Sequence, residues 1–261
     1  MPDNPTLVSD TLGFYDGLAA DYHLVYGDRW DEAVSRQGAA LARVIRDARP
    51  DAATVLDCSC GIGTQAIGLA CEGFGVTGTD ISEASVARAR VEAKRLGAQV
   101  ALGVADVRNL GGVAGPFDVV LSADNALPHL LEDVELSRAL SAMRSRLRPG
   151  GLVVLTMRDY DRALRERPPI APPLVVAGPP RRVVVRLHEW DAPASRLYTV
   201  RFLICTERED RWSVEHHCAR YRAITRLAFT DLVEAAGFTG VTWRSGPEVG
   251  FHQPLMTATA A

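Results

Sequence analysis

Short apolar runs alternate with helical patterns along the first part of the chain. Between Trp30 and Arg49, Ala33, Val34, Ala40, Leu41, Val44 and Ile45 recur at helical spacing, and Pro50 follows. Apolar runs then predict strands at Thr54–Asp57, Gly75–Asp80, Gln99–Val104, Phe117–Ser122 and Leu152–Met157. Helical patterns lie between them near Thr64–Glu72, Glu83–Leu96 and Glu132–Leu147. Ser82 is placed to cap the second, and Pro149-Gly150-Gly151 is expected to stop the third. Strands that are apolar throughout and separated by helices belong in a parallel sheet covered on both faces. Such a doubly wound sheet binds ligands at the carboxyl ends of its strands, near the point where strand order reverses.

The pattern changes after Met157. Asp159–Pro180 is rich in proline and arginine and reads as a loop with room for one helical turn. Three runs with period-two alternation follow, Arg182–Trp190, Leu197–Thr206 and Trp212–Arg222, with turn signals at Asp191–Ser195 and Glu207–Asp210. In the second run Tyr198, Val200, Phe202 and Ile204 fall on one face. A helix is expected at Phe229–Ala236 before Gly237, then short strands at Gly240–Arg244 and Pro254–Thr257. The expectation is an α/β fold, a doubly wound, mostly parallel seven-stranded sheet of Rossmann-like type with an antiparallel β insertion after the fifth strand. It divides into an N-terminal helical lid segment (1–50), a ligand-binding core (51–158), the insertion (159–225) and a C-terminal helix and strands that complete the sheet (226–261).

Composition narrows the function classes. The chain has 261 residues, 47% hydrophobic and 23% charged, with a formal net charge of -3. It therefore shows no basic surplus for nucleic acid and no apolar run long enough for a membrane span. The acidic N-terminus lacks the order of a signal peptide, and the five cysteines lack metal-ligand spacing. A reducing cytoplasm, a small-molecule substrate and no metal are expected; a homo-oligomer is left open.

The chemistry centres on the loop from Asp57 to Gly63. Gly61-x-Gly63 joins a strand to a helix, where glycines let the backbone approach a ligand and the helix offers free N–H groups. The same residues fit the looser Gly-x-Gly-x-x-Ala dinucleotide pattern, and Asp80 is spaced to hold a ribose in either case. Asp57, four residues before Gly61, suits a cationic amino group and would repel a pyrophosphate. Asp106 and Val107 suit an adenine amino group and ring.

Five stretches in order resemble the successive motifs of class I S-adenosylmethionine-dependent methyltransferases. They are 55–64 (Val-Leu-Asp-Cys-Ser-Cys-Gly-Ile-Gly-Thr), 78–82 (Gly-Thr-Asp-Ile-Ser), 105–107 (Ala-Asp-Val), 117–120 (Phe-Asp-Val-Val) and 147–152 (Leu-Arg-Pro-Gly-Gly-Leu). The resemblance implies S-adenosylmethionine as cofactor. Ala123–Leu130 and Met157–Asp161, with Tyr22–Asp28 and Arg36, are similar to the glycine/sarcosine N-methyltransferase branch. Ser59 stands where that branch has alanine, Val107 where some members have tryptophan, and the stretch 167–180 has no counterpart.

The resemblance implies Tyr22, Tyr26, Arg36, Asp57, Ser59, Gly61, Gly63, Asp80, Ile81, Asp106, Val107, Ala123 and His129 around the cofactor. It places Asn125 and Arg158 at the acceptor, with Tyr26 and His129 beside the reacting groups. Arg158 would grip a carboxylate, since a guanidinium fork matches one bidentately. Read from the residues alone, Asn125 serves equally as a cap, Arg158 as a surface ion pair and His129 as a satisfied helix-end histidine. His188, His216 and His217 read as packing or surface positions. The expected reaction is N-methylation of a small amine or amino-acid-like acceptor. The alternatives are O- or N-methylation of a larger specialised metabolite and, more distantly, an NAD-dependent dehydrogenase.

Overall fold

The computed structural model describes residues 11–209 and 211–261. Residues 1–10 of the expected lid segment and Asp210 of the expected turn lie outside the described residues. In chain order the elements are α1 (Thr11–Leu18), α2 (Trp30–Ala48), β1 (Thr54–Asp57), α3 (Thr64–Cys71), β2 (Gly75–Asp80), α4 (Glu83–Arg95), β3 (Val100–Val104), β4 (Phe117–Ser122), α5 (Asp133–Ser145) and β5 (Leu147–Thr156). Then come α6 (Tyr160–Glu166), β6 (Ile170–Val176), β7 (Arg182–Trp190), β8 (Leu197–Arg208), β9 (Arg211–Arg222), α7 (Arg226–Ala235), β10 (Phe238–Arg244), α8 (Gly246–Val249) and β11 (Leu255–Ala260). Short 3-10 turns stand at Tyr22–Tyr26 and Leu127–His129.

The main sheet has the order β10-β11-β5-β4-β1-β2-β3. Strands β1 to β5 pair in parallel, and β11 runs antiparallel to both of its neighbours. The order reverses between β1 and β4, so Asp57 and Ser122 end at the switch point. Alternation along the strands supplies both faces. Val55, Val119 and Val154 join Leu41, Ile45 and Leu69 on one side, while Leu56, Val120 and Val153 join Leu140, Met143 and Phe229 on the other. Ser82 caps α4 as expected, accepting from the Ser85 N–H.

Helices α2 and α3 meet backbone to backbone. A Cβ on Gly38 would lie 2.5 Å from the Gly68 carbonyl carbon, so neither position has room for a side chain. This contact seats the N-terminal segment directly on the helix that follows the glycine loop.

The insertion is a second sheet, β6-β7-β8-β9, antiparallel throughout. Tyr198, Val200, Phe202 and Ile204 are buried as the alternation predicts, and they run into the core of the main domain. Burial of each such side chain stabilises by about 1.5–3 kcal/mol, which holds the insertion against the core.

Two expectations change. Helix α5 stops at Ser145, and Pro149-Gly150-Gly151 lie inside β5, where the pairing with β4 shifts register. Asp159–Pro180 is mostly ordered as α6 and β6. Pro172 and Pro173 fall in a register shift of an edge strand, the one place in a sheet where a missing N–H costs little. Among the described residues no helix is long and apolar enough to cross a membrane.

Candidate active site

The glycine loop turns at the carboxyl end of β1. Gly61 and Gly63 have φ of 52° and 95°, and Gly63 leads into α3. Gly61 N–H donates to Asp80 Oδ2 at 2.8 Å, and Ser82 N–H to Asp80 Oδ1 at 3.0 Å. Asp80 thus ties the loop after β1 to the end of β2. Its burial raises its pKa, against the pull of those N–H groups.

A cavity of about 180 Å³ opens over this loop. Ser59, Gly61, Asp80, Ile81, Asp106, Val107 and Ala123 line its floor and walls. Tyr15, Tyr22, Tyr26 and His129 also border it. Asp106 is already held by Arg108, which donates from its backbone at 2.8 Å and from Nη2 at 2.6 Å and also pairs with Glu135. Burial pushes the Asp106 pKa up, but Arg108 outweighs it and the carboxyl stays below the usual range.

Three expected positions sit elsewhere. Asp57 is wholly buried behind the loop and does not reach the cavity. Its Oδ1 accepts the Ser59 N–H at 3.3 Å, its Oδ2 has no partner, and burial raises it to about 7. Gly63 shapes the turn without lining the cavity, since a Cβ there would strike Ile67 Cδ1 at 2.8 Å. Arg36 leaves α2 on the exposed side and borders a second cavity instead.

That second cavity, about 860 Å³, lies between the main sheet and the insertion. Asn125 and Arg158 border it, together with Arg186 and His188 of β7. Tyr22, Tyr26 and Asp124 border both cavities and mark their junction. Asp124 and Asn125 are consecutive non-glycine residues with φ of 56° and 69°. Backbone of this kind costs about 1–3 kcal/mol per residue and persists only when its surroundings hold it. Here Asp124 N–H donates to Thr156 Oγ1 at 2.8 Å, and Asn125 Oδ1 accepts from the Arg158 N–H at 3.1 Å. The Asp124 carboxylate accepts from Tyr26 OH and His252 Nε2 at 2.8 Å and from Gln253 Nε2 at 3.0 Å. Burial opposes its charge, but these partners keep its pKa below the usual range. Asp124 was missed from sequence, where it is only the residue before Asn125.

His129 has both ring nitrogens engaged. Nδ1 faces the Arg220 carbonyl at 3.1 Å and must donate there, so Nε2 accepts from Tyr15 OH at 2.8 Å. Burial drops its pKa to about 3 and keeps the ring neutral. His129 therefore positions the lid tyrosine and is not free as a base. A row of rings continues from it across the insertion: His129–Tyr221 at 3.9 Å, Tyr221–Tyr198 at 5.5 Å and Tyr198–Trp190 at 4.6 Å.

Arg158 Nη1 lies 3.2 Å from His188 Nε2 and 3.4 Å from Tyr198 OH. His188, expected to be packing or surface, is thus a wall of the second cavity. Its Nδ1 donates to the Pro168 carbonyl at 3.1 Å, and burial lowers its pKa to about 4.

Comparison with known proteins fits this arrangement. Residues 55–151 match the family model described as a methyltransferase domain. The glycine/sarcosine N-methyltransferase of Parasynechococcus marenigrum (strain WH8102) is 30% identical over 156 residues, 57% of this chain and 55% of that protein. The chain spans little more than half the length of the curated relatives it matches first. Solved structures align almost end to end. An S-adenosylmethionine-dependent methyltransferase from Clostridium acetobutylicum superposes with TM-score 0.76 at 12% identity, covering 95% of this chain and 99% of that one. CalS10, an amino pentose methyltransferase from Micromonospora echinaspora, superposes with TM-score 0.73 at 23% identity, covering 92% and 96%. At such identities the likeness shows the fold.

Proposed function

We propose that this chain, built around a class I methyltransferase domain, moves a methyl group from S-adenosylmethionine to a nitrogen of a small-molecule acceptor in the larger cavity. The cofactor brings a methyl on a sulfonium, already activated for in-line displacement. The residues at the smaller cavity suit it: a glycine turn for close backbone approach, Asp80 for a ribose, and Asp106 with Val107 for an adenine. Arg108 makes four contacts to Asp106, about as many as a carboxylate accepts, so an adenine amino group would take the place of one of them. Tyr15, Tyr22 and Tyr26 exclude water above it, and positioning with dehydration is most of what such a transfer asks of the protein.

The observation that carries this reading is the junction at Tyr22, Tyr26 and Asp124, through which the two cavities share a boundary. The histidines favour an amine over a hydroxyl. A hydroxyl needs a base, yet His129 and His188 have both nitrogens engaged and His252 commits Nε2 to Asp124. A neutral amine attacks unaided and loses its proton afterwards. At about 860 Å³ the acceptor cavity lies within the range of about 300–1,000 Å³ typical of drug-sized ligands. This favours an acceptor of amino-sugar size or larger over glycine.

The test is a screen for S-adenosylhomocysteine release over amino acids, amino sugars, larger amines and phenols. Turnover led by the larger amines is expected. Turnover confined to phenols would sink the amine assignment, and stabilisation by NADH without any by S-adenosylhomocysteine would sink the cofactor.

A further inference from the structure

Of the five arginines that border the larger cavity, Arg29, Arg36 and Arg162 are exposed, while Arg158 and Arg186 are half-buried and have no carboxylate partner among the described residues. Arg158 uses Nη1 on His188 and the Tyr198 hydroxyl, both neutral, and the rest of its fork has no partner among the described residues. Arg186 has no hydrogen bond or ion pair among the described residues, and its buried Nε is unsatisfied. Arg186 itself borders the cavity.

Position makes Arg186 unusual. It lies in mid-β7 on the face that carries Val184, His188 and Trp190, where packing alone would favour an apolar residue. Buried charge is normally paired, and two like charges in one cavity repel. Asp124 is the acid nearest in effect to both, but its oxygens already accept from Tyr26, His252 and Gln253. At the rim Glu166 pairs with Arg162. Arg158 and Arg186 thus bear on each other as like charges, and neither Asp124 nor Glu166 is given over to them, while Glu32 lies at the exposed rim.

We propose that Arg158 and Arg186 form a two-guanidinium site for a doubly charged oxyanion, phosphoryl or dicarboxylate, carried by the acceptor. This rests on the larger cavity being the acceptor site. The oxyanion then sits against the insertion, while the nitrogen to be methylated faces Asp124 at the junction. Arg158 alone would suit a single carboxylate. Arg186 extends the site to a larger or more highly charged group, in keeping with the cavity volume.

Calorimetric titration of the full chain, with S-adenosylhomocysteine present, tests this with inorganic phosphate and with succinate at fixed ionic strength. One of the two anions is expected to bind, and which one binds tells phosphoryl from dicarboxylate. Arg158→Gln and Arg186→Gln should each weaken that binding by roughly tenfold or more, as expected for loss of a charged hydrogen-bond donor. Arg181→Gln, outside the cavity and paired with Glu207, should not change it. Should Arg186→Gln fail to fold, Arg186→Lys keeps the charge, loses the fork, and should still bind more weakly than the parent. Binding of neither anion, or equal binding in all variants, overturns the proposal. S-adenosylhomocysteine titrated separately reports on the donor site, so failure of the methyltransferase reading is seen independently.

Discussion

At the scale of single residues, two acids near the switch point behave in opposite ways. Asp57 is shut away with an unpaired oxygen, and burial lifts its pKa to about 7. An unfolded chain releases that proton near pH 4, so between about 4 and 7 the folded protein holds a proton that the unfolded one has lost. Stability from this group is full below about pH 4 and declines as pH rises through 7. Asp57→Asn removes the decline: denaturant unfolding should show the variant gaining on the parent by a few kcal/mol between pH 5 and pH 8. A gap that does not widen with pH would contradict it. Asp124 is held ionised by its donors and borders both cavities. Asp124→Asn should therefore raise the KM of donor and acceptor together, each by roughly tenfold, through weakened bonds to Tyr26, His252 and Gln253. Steady-state kinetics varying each substrate in turn would show it, and a change confined to one KM would contradict a shared role.

At the scale of elements, the α2–α3 contact joins the lid segment to the glycine-loop helix. Gly68→Ala forces the helices apart and should cost about 1–3 kcal/mol, the usual range for overpacking. The measurements are thermal unfolding and S-adenosylhomocysteine affinity, and both should fall. Neither glycine announced this contact, because a close helix crossing leaves no periodic signal. The parallel strands and their helices were legible because their apolar runs and caps are local properties. Strand β6 was hidden by Pro172 and Pro173, which mark a loop unless an edge position is known in advance. The same limit applies at the site. Ser59, Asp80, Asp106 and Val107 could be placed because the motifs are contiguous. Arg186, His188 and Asp124 gain their meaning only when the insertion folds back over β4 and β5.

At the scale of the whole molecule, one sheet holds the smaller cavity and a second closes over the larger one. They share a hydrophobic core and the ring row from His129 to Trp190. Replacing Trp190 by leucine should alter acceptor preference in a substrate panel while S-adenosylhomocysteine affinity stays within about twofold, as for packing changes away from a ligand. A large loss of donor affinity from Trp190→Leu would contradict that separation.

The chain of contacts Tyr15–His129–Arg220 carries a further consequence. Tyr15 borders the smaller cavity, and Arg220 belongs to β9, whose Tyr221 borders the larger one. On the proposed function, a ligand that steadied its own end would lower the cost of ordering the other end. Linkage requires the factor to be identical in both directions. On the proposed function, donor and acceptor would then be gathered cooperatively, and a donor without a partner would be released more readily than one already committed to transfer.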